Sequence, residues 1–331
     1  MKPVSYICAE QVFHHHTGKN MKRIVLAVFL LALFFGGCKQ GQRDVNFIVA
    51  SDMGRRGESE QQKIAALMTL QAELTHVDFV AVAGDPIHDD GVQSIDDEEW
   101  KLKIEDVYAA SPLHAIPWYV VSGNHEYNGN VQAILDYSNV SRRWNAPARY
   151  YSMEQPVGRK KKALFVWIDT APLIDKYRSD EKYSDAGRQD MERQLRWLDS
   201  TLVASNFRWK IVIGHHPVYA DTDKEESERT DMQERVGKIL ETCGADFYIC
   251  GHIHNFQHIK PEGSKVNYVV NSSASQSRPV KEIEGTVFCN PDPGYSVFTV
   301  SADSVRFCFV NHTGEKVYRN AVGKRGIMDK N

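Results

Sequence analysis

Seven residues of metal-ligand type recur along this chain in one order, each just past an apolar run: Asp52, Asp85, Asn124, His125, His215, His252 and His254. They sit in five short motifs, SDMG, GDPIH, GNHE, GHHP and GHIH. Short apolar runs closed by turn residues read as buried strands, so each motif marks the place where a strand gives way to a loop. Carboxylates, an amide oxygen and imidazoles converging at strand ends suit a hydrolytic site built on two cations. Any one of these motifs alone reads as a turn or a core histidine. Their order and shared context carry the inference.

The chain is 331 residues long, with 42% hydrophobic and 25% charged residues and a formal net charge of -3. That is ordinary globular composition, and it lacks the basic excess that nucleic-acid binding requires. The basic run Arg159-Lys160-Lys161-Lys162 is local and reads as a solvated turn between strands.

The N-terminus departs from this composition. Lys22 and Arg23, an apolar stretch from Ile24 to Phe35, and Gly36-Gly37 have the layout of a secretory signal. The stretch falls short of the roughly 20 residues of a membrane span. Cys38, directly after the glycines, makes the segment resemble a bacterial lipoprotein signal with Cys38 acylated, although Phe35 stands where an aliphatic residue is usual. The expectation is export and a lipid anchor in the cell envelope; the alternative is ordinary signal cleavage beside an incidental thiol. Met21 opens this signal, so residues 1–20 read as an upstream extension and His14-His15-His16 as functionless. The expected organisation is a signal over 21–37, a linker over 38–45, one catalytic domain over 46–320 and a tail over 321–331. Cys243, Cys250, Cys289 and Cys308 remain in the body. Export would allow pairing, while Cys250, inside an apolar run, reads as a buried thiol.

Strand and helix signals alternate through the mature region. Strands are expected over 46–51, 78–83, 117–122, 163–169, 209–214 and 246–250, and helices over 58–74, 98–109, 131–144, 188–202 and 231–242. From Val266 the texture turns to successive strands, over 266–271, 295–300, 305–311 and 316–319. This is one α/β domain with a β-rich last third. Its motifs lie outside the carboxyl ends of strands, where such sheets place their sites.

Two cations about 3.5–4 Å apart need a shared anionic ligand and capping ligands on each side. Asp85 is the candidate bridge and Asp52 a ligand to one metal. Asn124, His215, His252 and His254 are neutral donors. His125 is then left to act on substrate, with Glu126 placed to orient it. Water held by such a cluster loses its proton near neutral pH and becomes a hydroxide nucleophile toward phosphorus.

These residues resemble the calcineurin-like metallophosphoesterases, and more closely the small tartrate-resistant type of purple acid phosphatase. The resemblance runs from about Phe47 to Tyr318 and includes IPWYVVSGNHEYNGNVQAILDYSNVSRRWNAPARYY and the closing GYSVFTV and VRFCFVNHTGEKVY. It implies a β-sandwich flanked by helices on both sides. It also implies a first metal held by Asp52, Asp85 and His254, and a second held by Asp85, Asn124, His215 and His252. The metals would be iron, zinc or manganese, and the substrate a small phosphomonoester.

Two departures qualify the transfer. The purple enzymes carry GDxxY, whose tyrosinate binds ferric iron; here the position is His88. Exchanging a phenolate for a neutral imidazole removes a negative charge and with it the preference for ferric iron. His88 is nonetheless expected among the metal ligands, in a protein that is not purple and works at less acidic pH. After GHHP, the family's second substrate-facing histidine is missing, and Lys224 falls near its place. His216 stands where the family shows an aromatic, and is read as a second catalytic candidate beside His125 or as packing. The alternatives to a phosphomonoesterase are a phosphodiesterase or nucleotidase on the same scaffold, and a surface binding protein that kept the fold without catalysis.

Overall fold

The computed structural model describes residues 44–204 and 206–324. The expected signal, Cys38 and His14-His15-His16 lie outside them. In chain order the strands are β1 (Val45–Ala50), β2 (Phe79–Ala83), β3 (Trp118–Val121), β4 (Trp144–Asn145), β5 (Tyr151–Val157), β6 (Lys161–Trp167) and β7 (Trp209–Ile213). They continue with β8 (Phe247–Cys250), β9 (Phe256–Ile259), β10 (Asn267–Val270), β11 (Thr286–Asn290), β12 (Gly294–Val300), β13 (Ser304–Asn311) and β14 (Lys316–Gly323). They form two sheets, ordered β14-β13-β12-β1-β2-β3-β4 and β11-β9-β10-β8-β7-β6-β5.

The run FVAVA is apolar at every position because both faces of its strand are covered. Phe47, Val49, Phe79 and Ala81 face the second sheet and meet Phe165, Trp167, Ile211 and Phe247. Ile48, Ala50, Val80 and Val82 face outward onto helix α1 (Gln61–Leu74), through Ile64 and Met68. The outer face of the second sheet is covered by α2 (Met191–Val203) and α3 (Glu226–Met232), the latter running on as helix to Thr242. Leu198, Leu202, Met232, Val236 and Leu240 supply that packing. The layers are therefore helix, sheet, sheet, helix, as the resemblance implied.

At the centre of each sheet the strands run parallel: β1, β2, β3 and β4 in one, β6, β7, β8 and β10 in the other. Parallel strands align their carboxyl ends, which gathers the five motifs along one edge of the sandwich. The β-rich last third divides between the sheets. Strands β9–β11 complete the second, and β12 adds antiparallel to β1 in the first.

The helix expected over 131–144 is shorter. It spans Val131–Asp136 with a 3-10 turn over Tyr137–Asn139, and Trp144 belongs to edge strand β4. The Trp144 indole N–H donates to the Ile134 carbonyl at 3.0 Å and its ring meets Trp100 edge-on, so tertiary packing overrides the helical spacing. Strand β14 runs to Gly323, three residues past the expected domain end. The basic run is a turn that opens β6 at Lys161 and Lys162. The four described cysteines are free, and Cys250 is buried in β8. No helix among the described residues is long and apolar enough to cross a membrane.

Phe47 sits where the sheets meet, stacked on Phe79 at 4.9 Å and Phe298 at 5.0 Å and edge-on to Phe165 at 5.4 Å. Phe47→Ala is expected to cost about 3–5 kcal/mol. A urea midpoint within error of the parent's would contradict that placement.

Candidate metal centre

The backbone that presents the ligands is itself unusual. Asp52, Asp85, His252 and His254 have φ of 51°, 47°, 72° and 63°. This is the left-handed region, which non-glycine residues occupy at a cost of about 1–3 kcal/mol each. Hydrogen bonds hold them there. The Asp52 carbonyl accepts from the hydroxyls of Ser273 (2.7 Å) and Ser275 (2.8 Å). Asp52 Oδ2 accepts the His252 N–H at 2.9 Å, which ties the two sheets together at the site. Asp85 Oδ1 accepts the His125 N–H, also at 2.9 Å. The glycines of the motifs allow close approach: a Cβ on Gly84 would collide with the His215 ring, and one on Gly123 with the Asp85 carboxylate.

The imidazoles are fixed in tautomer by their outer nitrogens. Carbonyl and carboxylate oxygens only accept, so the nitrogen facing one carries the proton. His215 Nδ1 donates to the Ala83 carbonyl at 2.9 Å, and His88 Nδ1 to the Met53 carbonyl at 3.0 Å. His252 Nε2 donates to Glu228 Oε2, again at 2.9 Å. The inward nitrogens then present lone pairs. His215 Nε2 and His252 Nδ1 face one another at 3.2 Å, an arrangement that repels unless a proton or a cation lies between them. Asn124 Oδ1 and His88 Nε2 are buried without a hydrogen-bond partner, a cost that a cation would remove, and Asp52 Oδ1 faces His254 Nε2 at 3.2 Å.

Among the described residues these donors fall into four overlapping groups, two of which are Asp85, His88 and His125, and His215, His216 and His252. Asp52, His88 and His254 offer atoms within 4.8 Å of one another, and so do Asp52, Asp85 and His215. Asp85 lies between, its Oδ2 3.0 Å from His215 Nε2 and 3.7 Å from His88 Nε2. The set of oxygens and imidazole nitrogens suits iron, zinc or manganese, and the orphaned atoms fit that chemistry.

His125 is the most open of the group, with about a quarter of its side chain exposed. Its Nδ1 is hydrogen-bonded to the Asp89 carbonyl, and its Nε2 points at Asp85 Oδ2, 3.8 Å away. His216 is fully buried. Its Nδ1 pairs with Thr170 Oγ1 at 2.7 Å, and its ring lies against His252 and Tyr177. Lys224 is half-buried. Burial and the nearby Arg278 lower its amine pKa, while Asp85, Glu228 and Asp52 act against them.

Glu126 does not bond the His125 ring as expected. Its buried carboxyl accepts the Gly123 N–H at 2.7 Å and the Ile87 N–H at 3.2 Å, stapling two ligand loops together. Glu228 was not read from the sequence at all. It lies on α3, well away from any ligand motif, and only the fold brings it to His252. Burial would raise its pKa, but the His216 and Lys176 charges hold it below the ordinary carboxylate value.

The match to the family of calcineurin-like phosphoesterases covers residues 45–256, and the chain belongs to that family. Human tartrate-resistant acid phosphatase type 5 is 27% identical over 267 residues, 76% of this chain and 81% of that protein. Purple acid phosphatase 4 of Arabidopsis thaliana is 30% identical over 240 residues, 70% and 69% of the two chains. Among solved structures, GAP50, the anchor in the inner membrane complex of Plasmodium, superposes with a TM-score of 0.73 at 22% identity, covering 86% of this chain and 90% of that one. A purple acid phosphatase from yellow lupin gives 0.60 at 15% identity, covering 85% and 54%.

Without a cation, a proton takes its place. Burial disfavours charge on His215, yet the Asp85 carboxylate raises its pKa from 6.5 to about 9. Burial and the Asp85 charge push Glu126 from 4.5 to about 8. Both groups bind protons more tightly folded than unfolded, so the stability they lend is present at low pH and lost as pH rises. Burial lowers His88 to about 3 and depresses His216 and His252, and these shifts act below pH 6.5 with the opposite sign. Metal-free protein is therefore expected to lose thermal stability as pH rises from about 6.5 to about 9. A melting temperature that stays flat or climbs across that window, in chelator, would contradict the assignment.

Proposed function

We propose that this phosphoesterase is a phosphomonoesterase that works with two cations. The first would be held by Asp52, Asp85, His88 and His254, and the second by Asp85, Asn124, His215 and His252. The observation that carries the reading is the pair of imidazole nitrogens, His215 Nε2 and His252 Nδ1, facing one another at 3.2 Å beside the unpartnered buried Asn124 Oδ1 and His88 Nε2. When bound, the cations neutralise phosphate oxygens and lower the pKa of the attacking water.

His125 is the catalytic residue of this reading. With Nδ1 committed to Asp89, its mobile proton sits on Nε2, on the side of the cluster. Protonated, that atom donates to a phosphoryl oxygen, and it passes the proton to the leaving oxygen as the phosphorus–oxygen bond breaks. A cleft of about 440 Å³ beside His88, lined by Arg55, Arg56 and Lys103 and also by Glu58, Asp90 and Glu99, has room for a small leaving group. His216, buried behind His252, fits a wall of the site better than a substrate contact. Lys224 lends the rim positive charge. Export and a lipid on Cys38 belong to the same proposal and rest on residues 21–38 of the sequence alone.

The direct test is hydrolysis of p-nitrophenyl phosphate against bis-p-nitrophenyl phosphate, with iron, zinc or manganese and again after chelation. Chelator-sensitive turnover of the monoester is expected. Preference for the diester would favour a phosphodiesterase, and two bound ions without any turnover a binding protein. Asp85→Asn is expected to cut kcat at least about 100-fold and to release metal. Full activity with two bound ions would rule out its bridging role. With His88 in place of a phenolate, the iron-loaded protein should lack a visible tyrosinate-to-iron band, and His88→Tyr should create one. A coloured parent would count against the His88 assignment.

A further inference from the structure

The carboxylate of Glu228 is 2% exposed and sits directly behind the candidate ligand His252. Its Oε2 takes the His252 Nε2–H, and its Oε1 takes the Lys176 ammonium at 2.8 Å and the Tyr177 hydroxyl at 3.1 Å. Lys176 and Tyr177 come from the short helix Asp175–Ser179. That helix is itself docked to the region of α3, through the Asp175 N–H on Asp231 Oδ2 at 2.7 Å and an Arg235–Asp175 ion pair at 2.8 Å. Glu228 is thus a buried charge with three donors aimed at it from two segments.

We infer that Glu228 is a positioning residue for the second cation: it holds His252 as the Nε2–H tautomer, so that Nδ1 meets the ion opposite His215 Nε2. The assignment rests on the two-cation reading and deepens it. Three features make it specific. His252 has no other acceptor on Nε2 among the hydrogen bonds of the described residues. The His252 backbone is held at φ 72° with its amide N–H committed to Asp52, so only the side chain remains to be oriented. The carboxylate also makes the imidazole a stronger donor to a metal, as partners behind ligating histidines do. Lys176 and Tyr177 in turn fix Glu228, and the segment that carries Lys224 is thereby tied to the second ion.

The test is an equilibrium zinc titration of the parent and of Glu228→Met and Glu228→Gln, with melting of each in chelator. The parent should bind two ions. Glu228→Met should bind one of them about 10–100-fold more weakly and leave the other unchanged. Glu228→Gln, which keeps an acceptor, should lose less. Lys176→Met distinguishes positioning from packing: it should shift zinc affinity in the same direction as Glu228→Gln, whereas a merely structural role would move only the melting temperature. Nitrogen NMR of the metal-free parent should place the His252 proton on Nε2, a readout independent of whether any variant folds. A parent that fails to bind two ions would overturn the two-cation reading and this assignment together. A parent that binds two while Glu228→Met binds both as tightly, or a His252 proton found on Nδ1, would overturn the assignment alone.

Discussion

Two imidazole lone pairs facing one another at 3.2 Å, on His215 Nε2 and His252 Nδ1, are the constraint on which the site depends. Neither ring can turn away, because each outer nitrogen is held by a buried acceptor, the Ala83 carbonyl for one and the Glu228 carboxylate for the other. Repulsion of this kind persists in a fold only where something positive resolves it. The same logic covers Asp52 and Asp85, two buried carboxylates within reach of one nitrogen. The site gathers carboxylate oxygens and imidazole nitrogens at one edge of the sandwich, and the rest of the molecule keeps it from relaxing.

The restraint comes from both sheets at once. Asp52 and Asp85 follow strands of one sheet, His215 and His252 strands of the other, and the hydrogen bond from His252 N–H to Asp52 closes the gap. Behind this edge lies an aromatic core centred on Phe47, which sets the spacing of the sheets. Left-handed backbone at four candidate ligands is tolerated because the sandwich, the serine hydroxyls behind Asp52 and the stapling by Glu126 over-determine the loops. Rigidity of this order is what a centre with sub-ångström tolerance in ligand placement requires.

His88 is where the proposed centre departs from the tyrosine-bearing motif of the family it resembles. Its ring is buried and neutral, its Nδ1 is tied to Met53, and its Nε2 points at Asp85 and the Asp52–His254 pair. The position still offers a donor atom, but one without charge. On the proposed two-cation reading, a first cation would meet less negative density there than a phenolate would supply, which would favour divalent over trivalent ions.

The candidate donors were legible in the sequence because each is local: a strand end, a glycine that permits close approach, and a donor within two residues. The fold class was legible for the same reason, since strands apolar at every position announce burial on both faces. Trp144 was misread because a helical spacing cannot reveal that an indole will reach Ile134 and settle in an edge strand. Glu126 was seen but given the wrong partner, because sequence adjacency to His125 does not say where a side chain points. Glu228 was invisible, lying on a helix with no motif, 24 residues from the imidazole it holds. The sequence by itself determined which donors exist and the order in which strands deliver them. Tertiary structure decided which nitrogen of each ring faces inward and which carboxylates stand behind, because those depend on partners brought close only by the packing of two sheets.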